Sequence, residues 1–271
     1  MDLKILNPAE SNISSCSFLG SGLLESGSAN KKILIFIQLE SQGGSAYYKL
    51  MAKISHRKQL KNWNSNSPQP KPGKLRIVGG KYRGRQIEYL GDRRTRPMKD
   101  NIREALFNLV GGWIPGKAII DLFAGTGAVG IEAISRGATR AILIERHFPT
   151  AKVVKRNIET IDAEMPAVVE SMDTFFWGRQ FCNPETERPA EPWVVFCCAP
   201  YDFYVDREEE TLALLKGLKD LAPDQSIVVV ESDSRFNPKL LPDPESWVVR
   251  DYRPARVAVF KKGDAGFTPK G

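Results

Sequence analysis

Ten residues constrain this chain more than any other stretch: Asp121-Leu-Phe-Ala-Gly125-Thr-Gly127-Ala-Val-Gly130. Ala118 to Phe123 reads as a buried strand, and Ala128 to Arg136 reads as a helix. Glycines between them let the backbone turn tightly and approach a ligand closely. The helix start beyond them offers free N–H groups and the positive end of a dipole. Gly125, Gly127 and Gly130 also satisfy G-x-G-x-x-G, with Glu145 twenty residues after Gly125, which fits a dinucleotide site as well. A glycine turn that binds nothing is a third reading. Asp121 separates the two ligand readings, because a carboxylate beside the loop repels a pyrophosphate. Beside a cationic methyl donor it orders the loop and meets the positive charge. Glu145, ending the second strand, is placed to accept both hydroxyls of a ribose, and Asp173, after the third, to accept from an adenine amino group.

The alternation around this loop predicts the fold class. Strands are expected at Ala118–Phe123, Ala141–Glu145, Val168–Glu170, Trp193–Cys198 and Ile227–Glu231, with helices at Ala128–Arg136, Thr150–Ile161 and after Asp206. In that last helix Glu209 stands at a capping-box position, and Leu214, Leu215, Leu218 and Leu221 point inward. Trp193 to Cys198 is apolar throughout, as in a strand covered on both faces. Trp247–Arg250 and Arg256–Lys261 predict a closing antiparallel pair. The whole is an α/β, doubly wound, mostly parallel sheet, whose ligands bind at the carboxyl ends of the strands.

The organisation has four parts. Residues 1–73 are rich in Ser, Asn and Gly, and disorder is expected there, with one isolated strand at Ile33–Leu39. Met51-Ala-Lys reads as a natural start, so translation from Met51 is one hypothesis. Between Met51 and Lys74 the basic residues have no acidic counterpart, which reads as a solvated linker or as an arm on nucleic acid. Residues 74–110 read as two short strands, Arg76–Val78 and Arg85–Tyr89, around Gly79, Gly80 and Gly84, followed by a helix after Asp100. Its Ile102, Ala105, Leu106 and Leu109 form one apolar face, and Asp100 is placed to cap it. Residues 111–262 are the ligand-binding domain, and 263–271 a tail.

Charge and cysteines narrow the partners. The 271 residues carry a formal charge of +7, and residues 74–110 hold ten basic against four acidic residues. That concentrates the excess in one segment, where an anionic partner is expected. The four cysteines make no C-x-x-C pair and only His56 and His147 stand beside them, so no metal site is expected. Reduced thiols and a cytoplasmic, monomeric protein are expected. No apolar run, Ile33–Ile37 included, is long enough to cross a membrane.

Strung together, several motifs resemble one family. They are Leu75-Arg-Ile-Val-Gly-Gly-Lys-Tyr-Arg-Gly-Arg85, Thr95-Arg-Pro97, Ile102-Arg-Glu-Ala-Leu-Phe-Asn108, the glycine loop, and Glu132-Ala-Ile-Ser-Arg-Gly-Ala138. Lys74 to Lys262 resembles the RsmD-type methyltransferases, which modify the exocyclic amine of a guanine in bacterial small-subunit ribosomal RNA. The resemblance implies a Rossmann-like class I methyltransferase that binds S-adenosylmethionine through Asp121, Phe123, Gly125, Thr126, Gly127, Glu145 and Asp173. It also implies that the basic segment lies beside RNA, with Arg83, Arg85, Arg93, Arg94, Arg96 and Arg103 as phosphate contacts.

The sequence departs from the family at one place. Where the family ends its fourth strand in Asp-Pro-Pro-Tyr, this chain has Cys198-Ala199-Pro200-Tyr201. In the family the Asp and a following carbonyl accept the two amine hydrogens and aim the lone pair at the methyl, and the aromatic ring stacks on the flipped base. Cys198, Pro200 and Tyr201 are therefore the catalytic candidates, and a thiol is a weak acceptor. Three explanations stay open. The chain is a weakened RNA-binding relative; Asp202 or Asp206 supplies the carboxylate; or Cys198 ionises, which needs a depressed pKa. Cys197 is expected to fill the core, and Glu231 to hold the loop near Tyr201. An amino-methyltransferase acting on DNA and a nicotinamide oxidoreductase are the outside alternatives.

Overall fold

A computed structural model describes residues 13–24, 32–41 and 44–53 by their backbone, and residues 71–92 and 97–263 with their side chains. The chain divides into two compact units, Met1–Pro68 and Gln69–Gly271. In the first, β1 (Ile13–Leu24), β2 (Lys32–Ser41) and β3 (Gly44–Lys53) pair antiparallel in that order. β2 contains the expected strand Ile33–Leu39. β1 and β3 are strands that a Ser- and Gly-rich composition does not announce.

The second unit opens with a hairpin of β4 (Gly73–Arg76) and β5 (Gln86–Tyr89), then α1 (Asp100–Val110). There follow β6 (Ala118–Asp121), α2 (Ala128–Ser135), β7 (Arg140–Ile144), α3 (Phe148–Thr160), β8 (Ala167–Glu170) and α4 (Thr174–Phe181). The chain finishes with β9 (Trp193–Cys197), α5 (Phe203–Asp206), α6 (Glu208–Leu221), β10 (Ile227–Asp233), β11 (Trp247–Tyr252) and β12 (Ala255–Lys261). The seven-stranded sheet runs β11-β12-β10-β9-β6-β7-β8. β6 to β10 are parallel to one another, and β12 runs antiparallel between β10 and β11.

Alternating side chains feed two cores, one on each face. Ile119, Val194, Phe196, Val229, Val257 and Val259 pack with α1, α2 and the hairpin residues Ile77, Tyr82 and Ile87. Ala118, Ile120, Val195, Val228, Val230 and Phe260 pack with α4 and α6. Burial on both faces is why β9 reads as an unbroken apolar run.

The hairpin is fixed to the sheet by hydrogen bonds, which explains why two separated sequence motifs occur together. Glu132, fully buried on α2, accepts from Val78 N at 2.8 Å and is paired with Arg136 at 2.9 Å. Ser135 Oγ donates to Gly79 O at 2.6 Å and accepts from Tyr82 N at 2.9 Å. Gly80 sits at φ +76°, and a Cβ there would lie 1.9 Å from Ser135 O, so only glycine fits. On the other side Asn157 of α3 bonds both backbone groups of Glu88, at 2.8 and 2.9 Å, as another strand would.

Three local expectations are corrected. The capping box before α6 does not form: Asp206 ends α5, Arg207 takes the N-cap position, and no side chain caps the helix. α4 and α5 are helices that the periodicity did not reveal, because each is too short to show a repeat. Asp100 turns its carboxylate to Arg103, 3.0 Å away. Among the described residues no helix is long and apolar enough to cross a membrane, and no group of His, Cys, Asp or Glu is placed to hold a metal ion.

Candidate active site

The glycine turn follows β6, and its geometry is set by two buried carboxylates. Asp121 is 1 % exposed, and its Oδ2 accepts from Gly130 N at 3.0 Å, tying the strand end to the first turn of α2. Glu145, just past β7, accepts from Gly125 N at 3.0 Å and from His147 N at 2.6 Å. Gly125 and Gly127 hold φ of +52° and +75°, conformations that suit glycine. A Cβ on Gly130 would lie 2.6 Å from Leu143, so this glycine lets α2 close on the sheet. Thr126 is buried inside the turn.

Among the described residues neither carboxylate makes an ion pair, although the charges of His147 and Arg146 pull Glu145 down. Burial pushes Asp121 up to about 7, against the pull of its backbone N–H donors, with a further small push from Glu145. Burial raises Glu145 as well. Two buried acids beside a glycine turn, both raised by burial, fit a ligand that brings positive charge and hydroxyl donors, as S-adenosylmethionine does.

Asp173 ends the segment after β8 and caps α4, accepting from Phe175 N and Phe176 N at 3.0 and 3.1 Å. Its other oxygen lies 3.6 Å from Arg207. Of the residues around it the sequence singled out Phe123 but not Phe175, Phe203 or Arg207. Phe123, Phe175 and Phe203 form a triangle of rings with centroids 5.8 to 6.0 Å apart, and the Arg207 guanidinium lies 3.9 Å from the Phe175 ring centroid. The available signal was position: each ring comes within a few residues of a strand's carboxyl end.

Cys198 follows the last residue of β9. Cys197 fills the core on the α4–α6 side, where Tyr204 Oη donates to its carbonyl at 3.0 Å, and Cys198 packs against the opposite core. The thiolate explanation is overturned. Burial holds the Cys198 thiol well above its ordinary range, and the charges of Glu231 and Asp121 push it further the same way. The substitute carboxylates fare no better. Asp202 is taken by Arg235 at 2.9 Å, and Asp206 is exposed at the end of α5.

Glu231 is the acid that stands beside Cys198. β10 pairs with β9 so that Val230 is opposite Cys197, which places Glu231 next to Cys198 at the sheet end. Tyr201 Oη donates to Glu231 Oε1 at 2.7 Å. The expected holding role of Glu231 is what the geometry shows. Its carboxyl is 8 % exposed, raised by burial, and bonded to no other described side chain. Pro200 is exposed between Cys198 and Tyr201.

The arginine candidates separate. Arg83 and Arg85 are exposed, with Arg85 Nη1 donating to Ile161 O at 2.6 Å. Arg103 is corrected: it is 1 % exposed, bonded to Arg76 O and Asp100, and no surface contact for a phosphate. Arg93, Arg94 and Arg96 lie outside the described residues. His147 caps no site chemistry: it stands at the N-cap of α3 with Nδ1 2.8 Å from Thr150 Oγ1.

Known proteins resemble this arrangement. The family described as "Conserved hypothetical protein 95" matches residues 75–258. Ribosomal RNA small subunit methyltransferase D of Haemophilus influenzae is 30 % identical over 191 residues, 70 % of this chain and 93 % of that protein. The yhhF protein of Escherichia coli, described as a methyltransferase, superposes with a TM-score of 0.56 at 27 % identity, covering 70 % of this chain and 98 % of its own. A Thermus thermophilus 16S rRNA N2 methyltransferase, solved with AdoMet and guanosine, shares the fold (TM-score 0.53, 16 % identity, 84 % of this chain, 58 % of that one).

Proposed function

The chain belongs to the RsmD family described above and is an S-adenosylmethionine-dependent methyltransferase, and from that premise we propose that it methylates the exocyclic amine of a guanine in small-subunit ribosomal RNA. The observation that carries this reading is the Tyr201–Glu231 bond at the end of two neighbouring strands, next to the glycine turn. Asp121, Glu145 and Asp173, with the backbone of Gly125 to Gly127, would hold the donor. When bound, S-adenosylmethionine supplies a methyl group on a sulfonium, which is already electrophilic.

The remaining difficulty is the nucleophile, because the guanine amine lone pair is delocalised into its ring. The chain's own groups address it. The Tyr201 ring is a platform for a flipped-out base, held in place by its hydroxyl bond to Glu231. Glu231, beside Cys198 in the strand register, would take over the acceptor role that the family gives to its Asp, accepting from the amine and dispersing positive charge as the nitrogen is alkylated. The backbone around Ala199 and Pro200 supplies the second acceptor. The amine proton then leaves to water.

The relatives named above favour RNA as the substrate. The DNA enzyme and the weakened RNA-binding relative find no support in these likenesses. The test is transfer of radiolabelled methyl from S-adenosylmethionine to small-subunit particles lacking this guanine methylation. Label is expected in the RNA with the native protein and not with Tyr201→Ala. Donor binding without transfer to any small-subunit RNA would contradict the reading.

A further inference from the structure

We propose that the outward face of α3, with the edge strand β8, is a second RNA-contacting surface that carries the single-stranded flank of the substrate between the hairpin and the active site; this rests on the RNA reading above. Phe148, Lys152, Lys155, Arg156 and Glu159 recur at helical spacing on one stripe of α3, and with Ala151, Val169 and Ser171 they line a groove. Phe148 is 68 % exposed, the most exposed of the large apolar side chains among the described residues, and Val168 of the neighbouring β8 is exposed as well. Lys152, Lys155 and Arg156 are exposed and form no ion pair with any described residue. Glu159 is the groove's one acid.

Charge selects the occupant. Burying three unpaired cations against an apolar or neutral protein face costs desolvation with no return, and lysine is depleted from protein interfaces. Phosphates pair with those cations and release their counterions, and an exposed ring among cations is a stacking platform for an unpaired base. Phe148 to Arg156 spans about 12 Å along the helix axis, room for more than one nucleotide.

Position supports the same occupant. α3 starts just after Glu145, so its first turn and Phe148 lie beside the donor site. Its last turns are bonded to the hairpin, through Asn157 to Glu88 and from Arg85 to Ile161 O. The hairpin meets α3 on the buried face opposite this stripe and at its last carbonyl, so along the helix axis the stripe runs from the end nearest the donor site to the end nearest Arg85.

The test uses the full chain and a protein-free transcript of small-subunit rRNA, with affinity measured across a salt series. In Lys152→Gln/Lys155→Gln/Arg156→Gln the slope of log affinity against log salt is expected to become shallower by about 2, which is about 0.7 for each of three lost phosphate contacts on a single strand. Phe148→Ala is expected to weaken binding several-fold with the slope unchanged. S-adenosylmethionine affinity stays as in the native protein in both. A native slope and affinity in the triple variant, with weakened binding in Arg83→Gln/Arg85→Gln, would overturn this surface and leave the RNA reading standing. No binding of the transcript by the native protein would overturn both. Native RNA binding by the triple variant, with lost attachment to whole small-subunit particles, would also overturn it, in favour of a protein-binding face.

Discussion

Tyr201 donates its hydroxyl hydrogen to Glu231 at 2.7 Å, from the loop after β9 to the end of β10, where the strand register sets the same carboxylate beside Cys198. Glu231→Gln keeps an acceptor for Tyr201 and removes the charge. kcat is expected to fall by about 10²–10³, the usual loss for one preorganised electrostatic partner, with a smaller change in KM. Cys198→Asp in the Glu231→Gln background restores part of that loss. Equal kcat in native and Glu231→Gln proteins would remove Glu231 from the chemistry.

Asp121 makes donor binding depend on pH. In the free protein its carboxyl is held up to about 7 by burial, so it is largely protonated below that pH. A cationic donor favours the ionised form, and its affinity is expected to rise up to about tenfold per unit from pH 5.5 towards 7, then level off. Isothermal titration across this range checks it, and Asp121→Asn should flatten the profile.

The same group affects stability with the opposite sign. Its folded pKa is raised above the ordinary carboxylate value near 3.9, so the folded state holds a proton that the unfolded state has released. The stability this lends is complete below about pH 4 and is lost as pH rises through about 7. Glu145 and Glu231, also raised by burial, act in the same direction. Melting of the ligand-free protein should shift to lower temperature between pH 5 and 8, and less so in Asp121→Asn.

Gly80 is where the hairpin meets α2. A side chain there meets Ser135 O and forces φ +76° on a residue with a Cβ. Gly80→Ala is expected to cost more than about 2 kcal/mol, and the melting temperature to fall by about 5 °C or more. Ser135→Ala, which loses the bonds to Gly79 O and Tyr82 N, should fall in the same direction by less.

Arg83 and Arg103 are predicted to separate binding from stability. Arg83 is exposed, so Arg83→Gln should lower the salt dependence of RNA binding with little change in melting. Arg103 is buried on Arg76 O and Asp100, so Arg103→Gln should lower the melting temperature and leave the salt slope unchanged.

What the sequence revealed follows its periodicities. The glycine loop, the buried strands and the closing antiparallel pair are legible because each has a strong local pattern, Asp121 and Glu145 could be placed at strand ends from the alternation alone, and Tyr201 came from the resemblance of its motif. Arg103 misled because helix position does not show which basic residue turns inward; a buried carbonyl from another element decides that. The aromatic triangle of Phe123, Phe175 and Phe203 is assembled by three separate strand ends and has no linear signature. The sequence set Glu231 near the Tyr201 loop but offered Cys198 only its own ionisation or nearby aspartates, because the closeness of Cys198 and Glu231, more than thirty residues apart in the chain, depends on strand register.

The central claim is guanine-amine methylation, and the modified nucleoside tests it most directly. Small-subunit particles lacking this methylation would be treated with the protein and S-adenosylmethionine, and the RNA digested and examined by mass spectrometry. We predict a new N2-methylguanosine that is missing with Tyr201→Ala. A methyl group found instead on adenine, on a ring carbon or on ribose would contradict the account.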